Sequence, residues 1–410
     1  MPATDRTVTT PVPGPVTTLP ARWHSENGTP PPDRVVLADD RLRADTAHRL
    51  ASDGDALLWQ GDYHGARQLL TALARRVERE SRLEREACRG RAAGPTTAGE
   101  VFREQRRERA RAAHVLGRLV VRLEDDHALL LRRAPDVRQA CREAYGPPDG
   151  ARVVALRELL GVLGAQQWRE RGVEVPALGA RVHPHYGVFS PVRGEYVDLV
   201  ARAPLPAAAL GHGTAFDLGT GTGVLAAVLA RRGVGRVLVT DANPRALRCA
   251  RDNAHRLGLA DRIRPAGTGL YPPGCGRAGL VVCNPPWLPA EPASALELGV
   301  YDPGGRMLHG FLSGLAERLV PGGEGWLVLS DLAEHLGLRS HTDLRTAFAT
   351  AGLRVVGRLD ARPRHRRATE AARRAGARQT DTRQTGARTA DPLDAARAAE
   401  VTSLWRLAPA

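Results

Sequence analysis

The chain has 410 residues, 42% hydrophobic and 25% charged, a composition that is globular rather than disordered or fibrous and long enough for two or three domains. Its net charge of +14 points to an acidic partner, although all 59 basic residues are arginine, lysine is absent and Ile263 is the lone isoleucine, so GC-rich coding contributes to the total. Five scattered cysteines without CxxC or zinc-like His/Cys spacing, no signal-like start and no run of about 18 apolar residues argue against a zinc module, an exported scaffold and a membrane-spanning protein, and for the cytoplasm.

Residues 1–33 are rich in Thr and Pro and bury too little apolar surface to fold, so disorder is expected there. Residues 34–180 read as a mainly helical domain. Leu57, Leu58, Ala66, Leu69, Leu70, Leu73 and Val77 recur at helical spacing, and Val153, Leu156, Leu159, Leu160 and Leu163 do so again. Leu119-Val120-Val121-Arg122-Leu123 is the exception; with the acidic stretch after it and Ala128-Leu129-Leu130-Leu131 it reads as a hairpin or as a break between helices.

From residue 181 the texture changes. Strands are expected at 214–218, 236–240, 279–283, 325–330 and 353–359, with helices at 224–232, 244–257 and 304–319 between them. That alternation implies an α/β domain with a parallel sheet covered on both faces. Residues 361–397 are low in complexity, and within 361–390 nine arginines face Glu370 and Asp381 alone, a balance of +7. An apolar run at 401–407 reads as one more strand, so the basic segment is an insertion inside a domain spanning 181–410.

The expected strand at 214–218 runs into Asp217-Leu218-Gly219-Thr220-Gly221-Thr222-Gly223 and then a helix. Alternate glycines let a ligand approach the backbone, and the helix N-terminus offers free N–H groups. A dinucleotide fingerprint has its last glycine one place later, where this chain has Val224. Alone, the turn is compatible with a tight connection that binds nothing. The next strand ends in Asp241-Ala242-Asn243-Pro244, where a carboxylate can accept both hydroxyls of a ribose, and a later one ends in Asn284-Pro285-Pro286-Trp287. The chain has only four asparagines, and Asn243, Asn253 and Asn284 lie within about forty residues of one another. Retention of that residue against the coding bias marks the region as functional.

In these motifs the chain resembles class I S-adenosylmethionine-dependent methyltransferases, specifically the small-domain, HemK-like group with an Asn-Pro-Pro-aromatic motif, over about residues 183–360. The resemblance implies a Rossmann-like seven-stranded sheet. It implies S-adenosylmethionine held by Asp217, Gly219, Thr220, Gly221, Thr222, Gly223, Asp241, Asn243 and Asn284, with Phe189 and Pro191 of His183-Pro184-His185-Tyr186-Gly187-Val188-Phe189-Ser190-Pro191 as walls. Asn284, Pro285, Pro286 and Trp287 carry the catalytic role. Asn284 Oδ1 and the Pro285 carbonyl each accept an N–H of a planar nitrogen and hold it in line with the methyl group, so positioning replaces a strong base. Trp287 stacks on the planar group, and no metal is required. Three features depart from the pattern: Trp287 replaces the usual tyrosine, Ala266-Gly267-Thr268-Gly269-Leu270 stands where an acidic residue is usual, and the strand into the motif lacks its leading aspartate. Adenine contacts are therefore expected from backbone groups or Tyr271. Arg193 and Glu195 read equally as part of the cofactor cover or as a surface pair, and Asn253 as a structural stitch.

The expected activity is methylation of an amide or exocyclic amine nitrogen in a translation-related macromolecule, a protein glutamine or an RNA base. The HemK likeness favours protein, and the basic 361–390 segment favours RNA contact. The alternatives are a small-molecule N-methyltransferase and a non-catalytic RNA-binding protein on the same fold.

Overall fold

The computed structural model describes residues 6–8, 21–89, 97–292, 296–363 and 391–410. The chain divides into two units, Met1–Pro95 with Arg103–Gln167, and Thr96–Phe102 with Trp168–Ala410.

In the first unit β1 (Arg6–Val8), β2 (Ala21–Trp23), β3 (Val35–Ala38), β4 (Ala56–Trp59), β5 (Leu119–Leu123) and β6 (Arg152–Ala155) form one sheet in the order β1-β2-β6-β5-β4-β3. Its helices are α1 (Ala44–Ser52), α2 (Tyr63–Arg89) and α4 (Arg138–Tyr145), with α3 (Ala98–Leu116) from Arg103 onward and α5 (Leu156–Arg171) up to Gln167. Ala47, Leu69, Leu73, Cys141 and Leu159 pack the helices α1, α2, α4 and α5 around a shared apolar core with strand residues such as Leu57 and Val154. Helix supplies much of 34–180, but a mainly helical domain is too simple a description, because a sheet runs through it. Leu57 and Leu58 belong to β4 and Val153 to β6, whereas their helical neighbours start at Tyr63 and Leu156. All four residues of β4 are buried, so that strand shows no alternation, and a short unbroken apolar run ahead of an amphipathic helix reads as more helix. Residues 119–123 form β5, parallel to β4 and antiparallel to β6; residues 128–131 form no strand, so the hairpin is absent.

The disorder expected for 1–33 does not extend to residues 21–23. Trp23 is buried and its indole N–H donates to the Thr29 carbonyl at 2.7 Å, while β2 pairs in parallel with β6. A strand far along the chain supplies burial that local composition does not reveal.

The second unit begins before the expected boundary, since β7 (Val173–Val175) and β8 (Ala180–Val182) form a hairpin that packs Val175 and Val182 into its core. There follow α6 (Glu195–Arg202), β9 (Thr214–Leu218), α7 (Val224–Arg231), β10 (Arg236–Thr240), α8 (Pro244–Arg256), β11 (Ile263–Pro265), β12 (Ala278–Cys283) and α9 (Arg306–Arg318). The remainder is β13 (Leu319–Ser330), α10 (Leu332–His335), α11 (His341–Thr350), β14 (Leu353–Ala361), α12 (Pro392–Ala399) and β15 (Thr402–Pro409). Seven strands lie in the order β11-β10-β9-β12-β13-β15-β14, and β15 alone runs antiparallel to its neighbours. Ala215, Val239, Val282 and Val328 face α6, α7 and α8. Phe216, Leu238, Val281 and Leu327 face α9 and α11 on the other side. Both faces are buried, so these strands are continuous apolar runs. The expected strands and helices are all present; β11 is an addition to the sheet, and β7, β8, α6, α10, α11 and α12 are additions outside it.

The arginine-rich stretch lies outside the described residues from 364 onward. The low-complexity segment is shorter than expected, because β14 extends to Ala361 and α12 opens at Pro392, where Asp391 caps the helix by accepting from Leu393 N–H at 3.0 Å.

Candidate active site

Strands β9 and β12 run side by side with Leu218 opposite Cys283, and β10 lies on the other side of β9 with Thr240 opposite Leu218. Gly219, Asp241 and Asn284, each the residue after its strand, therefore leave the sheet at one level along its carboxyl edge. That edge is where open α/β sheets bind ligands.

Gly219, Gly221 and Gly223 have φ values of 69°, 56° and 79°, the left-handed region that disfavours a side chain. Their surroundings differ. A Cβ at position 223 would stand 3.0 Å from Ala250, and one at 219 would stand 2.5 Å from Met307 Cε. At 221 the nearest atom is the Phe189 carbonyl oxygen, 4.0 Å away, so this glycine faces open space and admits a ligand against the backbone.

Asp217 is buried beneath the turn, where Oδ2 accepts from Thr220 Oγ1 at 2.7 Å and from Ala226 N–H at 3.2 Å. Burial dominates these bonds and pushes its carboxyl up to about 6. The Thr220 hydroxyl is thereby turned inward, and Thr222 is buried with its carbonyl bound to Asn253 Nδ2 at 3.0 Å. These residues shape the turn from below.

Asp241 is placed differently. Its Oδ2 accepts from Gly221 N–H at 2.9 Å and its Oδ1 from Asn243 N–H at 2.8 Å, and burial raises its carboxyl. Each oxygen retains a further lone pair, so the carboxylate can still accept two hydroxyls. Asn243 caps α8, accepting from Arg245 N–H at 3.0 Å, and its Nδ2 donates to the Gly187 carbonyl at 3.1 Å. It thus ties the segment leading to Phe189 and Pro191 onto the edge beside Asp241. Phe189 packs where a Cβ on Gly299 would come within 3.1 Å of it, Pro191 is buried, and the buried Ser190 Oγ between them has no partner among the described residues.

In the motif, Asn284 Oδ1 accepts from Trp287 Nε1–H at 2.9 Å. Indole is donor only, so this contact identifies the oxygen end of the carboxamide. The Arg193 guanidinium carbon lies 4.7 Å from the centre of the Trp287 ring, leaving at most one face for a planar group. Arg193 and Glu195 are no surface pair: Glu195 is 3% exposed and joined to Arg193 Nε at 2.9 Å. Glu400 and Ser330 also reach this cluster, and nothing in their local sequence marks them; only the placement of β15 beside β13 brings them there.

Tyr271 does not face the cofactor edge. Its hydroxyl donates to the Phe311 carbonyl, Arg318 lies 5.3 Å from its ring centre, and it packs against α9. Asp241 N–H donates to the Gly267 carbonyl at 3.4 Å and brings the 266–270 loop alongside. The Asp302 carboxylate accepts from Met307 and Leu308 N–H groups and so starts α9, while Tyr301 bridges to Leu288 just past the motif. His183 Nδ1 contacts the Arg169 carbonyl at 2.6 Å and His185 pairs with Asp252 at 3.2 Å.

Residues 179–353 match the family model described as methyltransferase small domain. That match covers less than half of this chain. A release factor glutamine methyltransferase of Cereibacter sphaeroides is 32% identical over 163 residues, covering 37% of this chain and 57% of the relative. A ribosomal protein L11 methyltransferase of Pelotomaculum thermopropionicum is 47% identical over 72 residues, 18% of this chain and 23% of the relative. The chain spans less than two thirds of the length of either. Among solved structures, a ribosomal protein L11 methylase from Lactobacillus delbrueckii subsp. bulgaricus aligns at 21% identity and a TM-score of 0.31, covering 41% of this chain and 72% of that one. S-adenosylmethionine suits this site: open backbone at Gly221, spare acceptors on Asp241 and the orphaned Ser190 Oγ meet the needs of a polar nucleoside with a charged amino-acid end.

Proposed function

We propose that the protein is an S-adenosylmethionine-dependent N-methyltransferase that modifies a planar amide or exocyclic amine nitrogen in a macromolecule of translation, with a protein glutamine as the first candidate. One observation carries this reading. Asn284 leaves β12 at the level where Gly219 leaves β9, so an amide acceptor and a ligand-ready glycine turn share one edge of the sheet. The names of the relatives, release factor glutamine and ribosomal protein L11 methyltransferases, support a protein acceptor.

When bound, S-adenosylmethionine supplies an electrophilic methyl group on a sulfonium. Asp241 would hold the ribose hydroxyls, and Gly221 would let the ligand lie against backbone. Asn284 Oδ1 keeps one lone pair beyond the bond to Trp287 and, with the Pro285 carbonyl, would accept the two N–H bonds of the acceptor nitrogen. Holding both hydrogens aims the nitrogen and favours pyramidalisation, and such positioning is worth roughly 7–11 kcal/mol at its limit. Proline at 285 has no N–H to present wrongly.

The test is incubation with radiolabelled S-adenosylmethionine and separate fractions of release factors, ribosomal subunits, DNA and small metabolites, with Asn284→Ala as control. Label is expected in a translation-related protein fraction, with a loss of at least about 100-fold in the variant. Equal labelling by variant and wild type, or label confined to small metabolites, would refute the reading.

A further inference from the structure

Trp287 is pinned from two sides. Its indole N–H is bound to Asn284 Oδ1 at 2.9 Å, and its ring lies under the Arg193 guanidinium at 4.7 Å. That guanidinium is itself fixed, because Nε donates to Glu195 Oε1 at 2.9 Å and a terminal nitrogen donates to Glu400 Oε1 at 2.8 Å. Glu195 and Glu400 are 3% and 2% exposed, so neither carboxylate can exchange Arg193 for water. Ser330 Oγ completes the chain, donating to Glu400 Oε1 at 2.7 Å from the carboxyl end of β13. The starting points are separate: Arg193 and Glu195 precede or open α6, Glu400 precedes β15, and Trp287 follows β12.

We propose, building on the functional reading above, that Arg193 is a positioning residue for Asn284, acting through Trp287 and anchored by Glu195 and Glu400. A carboxamide free to rotate would present its NH2 half the time, and a donor repels the N–H of an acceptor nitrogen. The indole N–H excludes that orientation, because it tolerates only the oxygen opposite it. The indole in turn needs a fixed ring plane, and a tethered cation held over one face supplies it. Arginine suits the position because one rigid fork serves two carboxylates while the guanidinium sits over the ring, which a lysine ammonium cannot do. Trp287 thus acts as a brace on the acceptor group, and a planar substrate would meet at most the face away from Arg193.

The inference is tested on full-length protein labelled with 15N-indole tryptophan, giving six resonances of which Trp287 is assigned by its loss in Trp287→Phe. In Arg193→Met the Trp287 N–H is expected to exchange with solvent about tenfold faster or more, since the opening that releases it costs less. Arg193→Lys should fall between, and Glu400→Gln should show a smaller acceleration because Glu195 still holds the guanidinium. S-adenosylmethionine affinity by calorimetry should stay within about twofold in all three, which also shows that they fold, while the initial rate of label transfer to purified release factors at saturating acceptor falls about tenfold in Arg193→Met with KM little changed. An unchanged Trp287 exchange rate in Arg193→Met would overturn the inference, as would a rise in KM with the saturated rate intact. If the wild type transfers no label, the functional reading falls, and the exchange measurement still decides whether Arg193 braces Trp287.

Discussion

Replacing Asn253 by alanine should unfasten the glycine turn without touching a ligand. Its carboxamide is 2% exposed and fully used: Oδ1 accepts from His183 N–H at 2.8 Å, and Nδ2 donates to the Thr222 carbonyl at 3.0 Å and the His183 carbonyl at 3.3 Å. One side chain on α8 therefore joins the end of β8 to the turn after β9. Each lost bond is worth about 0.5–1.5 kcal/mol, and a buried partner left unsatisfied costs about 1–3 kcal/mol. With the His183 N–H and the Thr222 carbonyl both orphaned, the expected loss is about 2–4 kcal/mol of unfolding free energy. Asn253→Asp preserves the shape but offers only acceptors to two carbonyl oxygens, so it should be at least as damaging at neutral pH and partly recover in acid, where the protonated carboxyl donates once. Urea unfolding at fixed temperature measures the loss, and calorimetry with S-adenosylmethionine should show weakened binding in proportion to the loosened turn. A change below about 0.5 kcal/mol in Asn253→Ala would refute the reasoning, because it would mean that the stitched groups find other partners at no cost.

Further expectations concern the same edge. Gly221→Ala has room for its Cβ and should cost only backbone strain of about 1 kcal/mol while sharply weakening S-adenosylmethionine binding, whereas Gly223→Ala strikes Ala250 and should destabilise by about 2 kcal/mol or more; equal effects of the two on ligand affinity would contradict the assignment. Asp217, raised by burial to about 6 from 3.8, keeps its proton in the folded state where the unfolded chain has lost it, so its contribution to stability should fall as pH rises from about 4 to about 6 and level off above. Relative to Asp217→Asn, which has no proton to lose, that fall should be of order 3 kcal/mol by denaturant titration, and a pH-independent difference would be the opposing result. Asp241→Asn should weaken S-adenosylmethionine binding about tenfold or more and leave unfolding within about 1 kcal/mol of wild type, both read on one preparation.

Much of the second unit is legible in the sequence, and little of the first. The strands β9, β10 and β12 announce themselves as short β-branched runs, each ending where a glycine, an aspartate or an asparagine begins, because a parallel strand buried on both faces must be apolar and must end where its ligand edge begins. From this pattern the order of elements, the methyltransferase likeness and the choice of Asn284 as the proposed acceptor all follow. The first unit has equally buried strands, such as 56–59, but each runs on into an amphipathic helix with no chemical marker between, so local periodicity could not separate the two. What tertiary structure alone decided was the company each residue keeps. Arg193 and Glu400 stand 207 positions apart and meet only because β15 inserts beside β13. Tyr271 turned to α9 rather than to the cofactor edge, and the Trp287 ring found a guanidinium on one face. A sequence carries the type and spacing of groups along one line, which is enough to name a reaction class when the motif is contiguous. Long-range pairing sets which of those groups are buried, braced or free, and so decides how firmly Asn284 is held for its task.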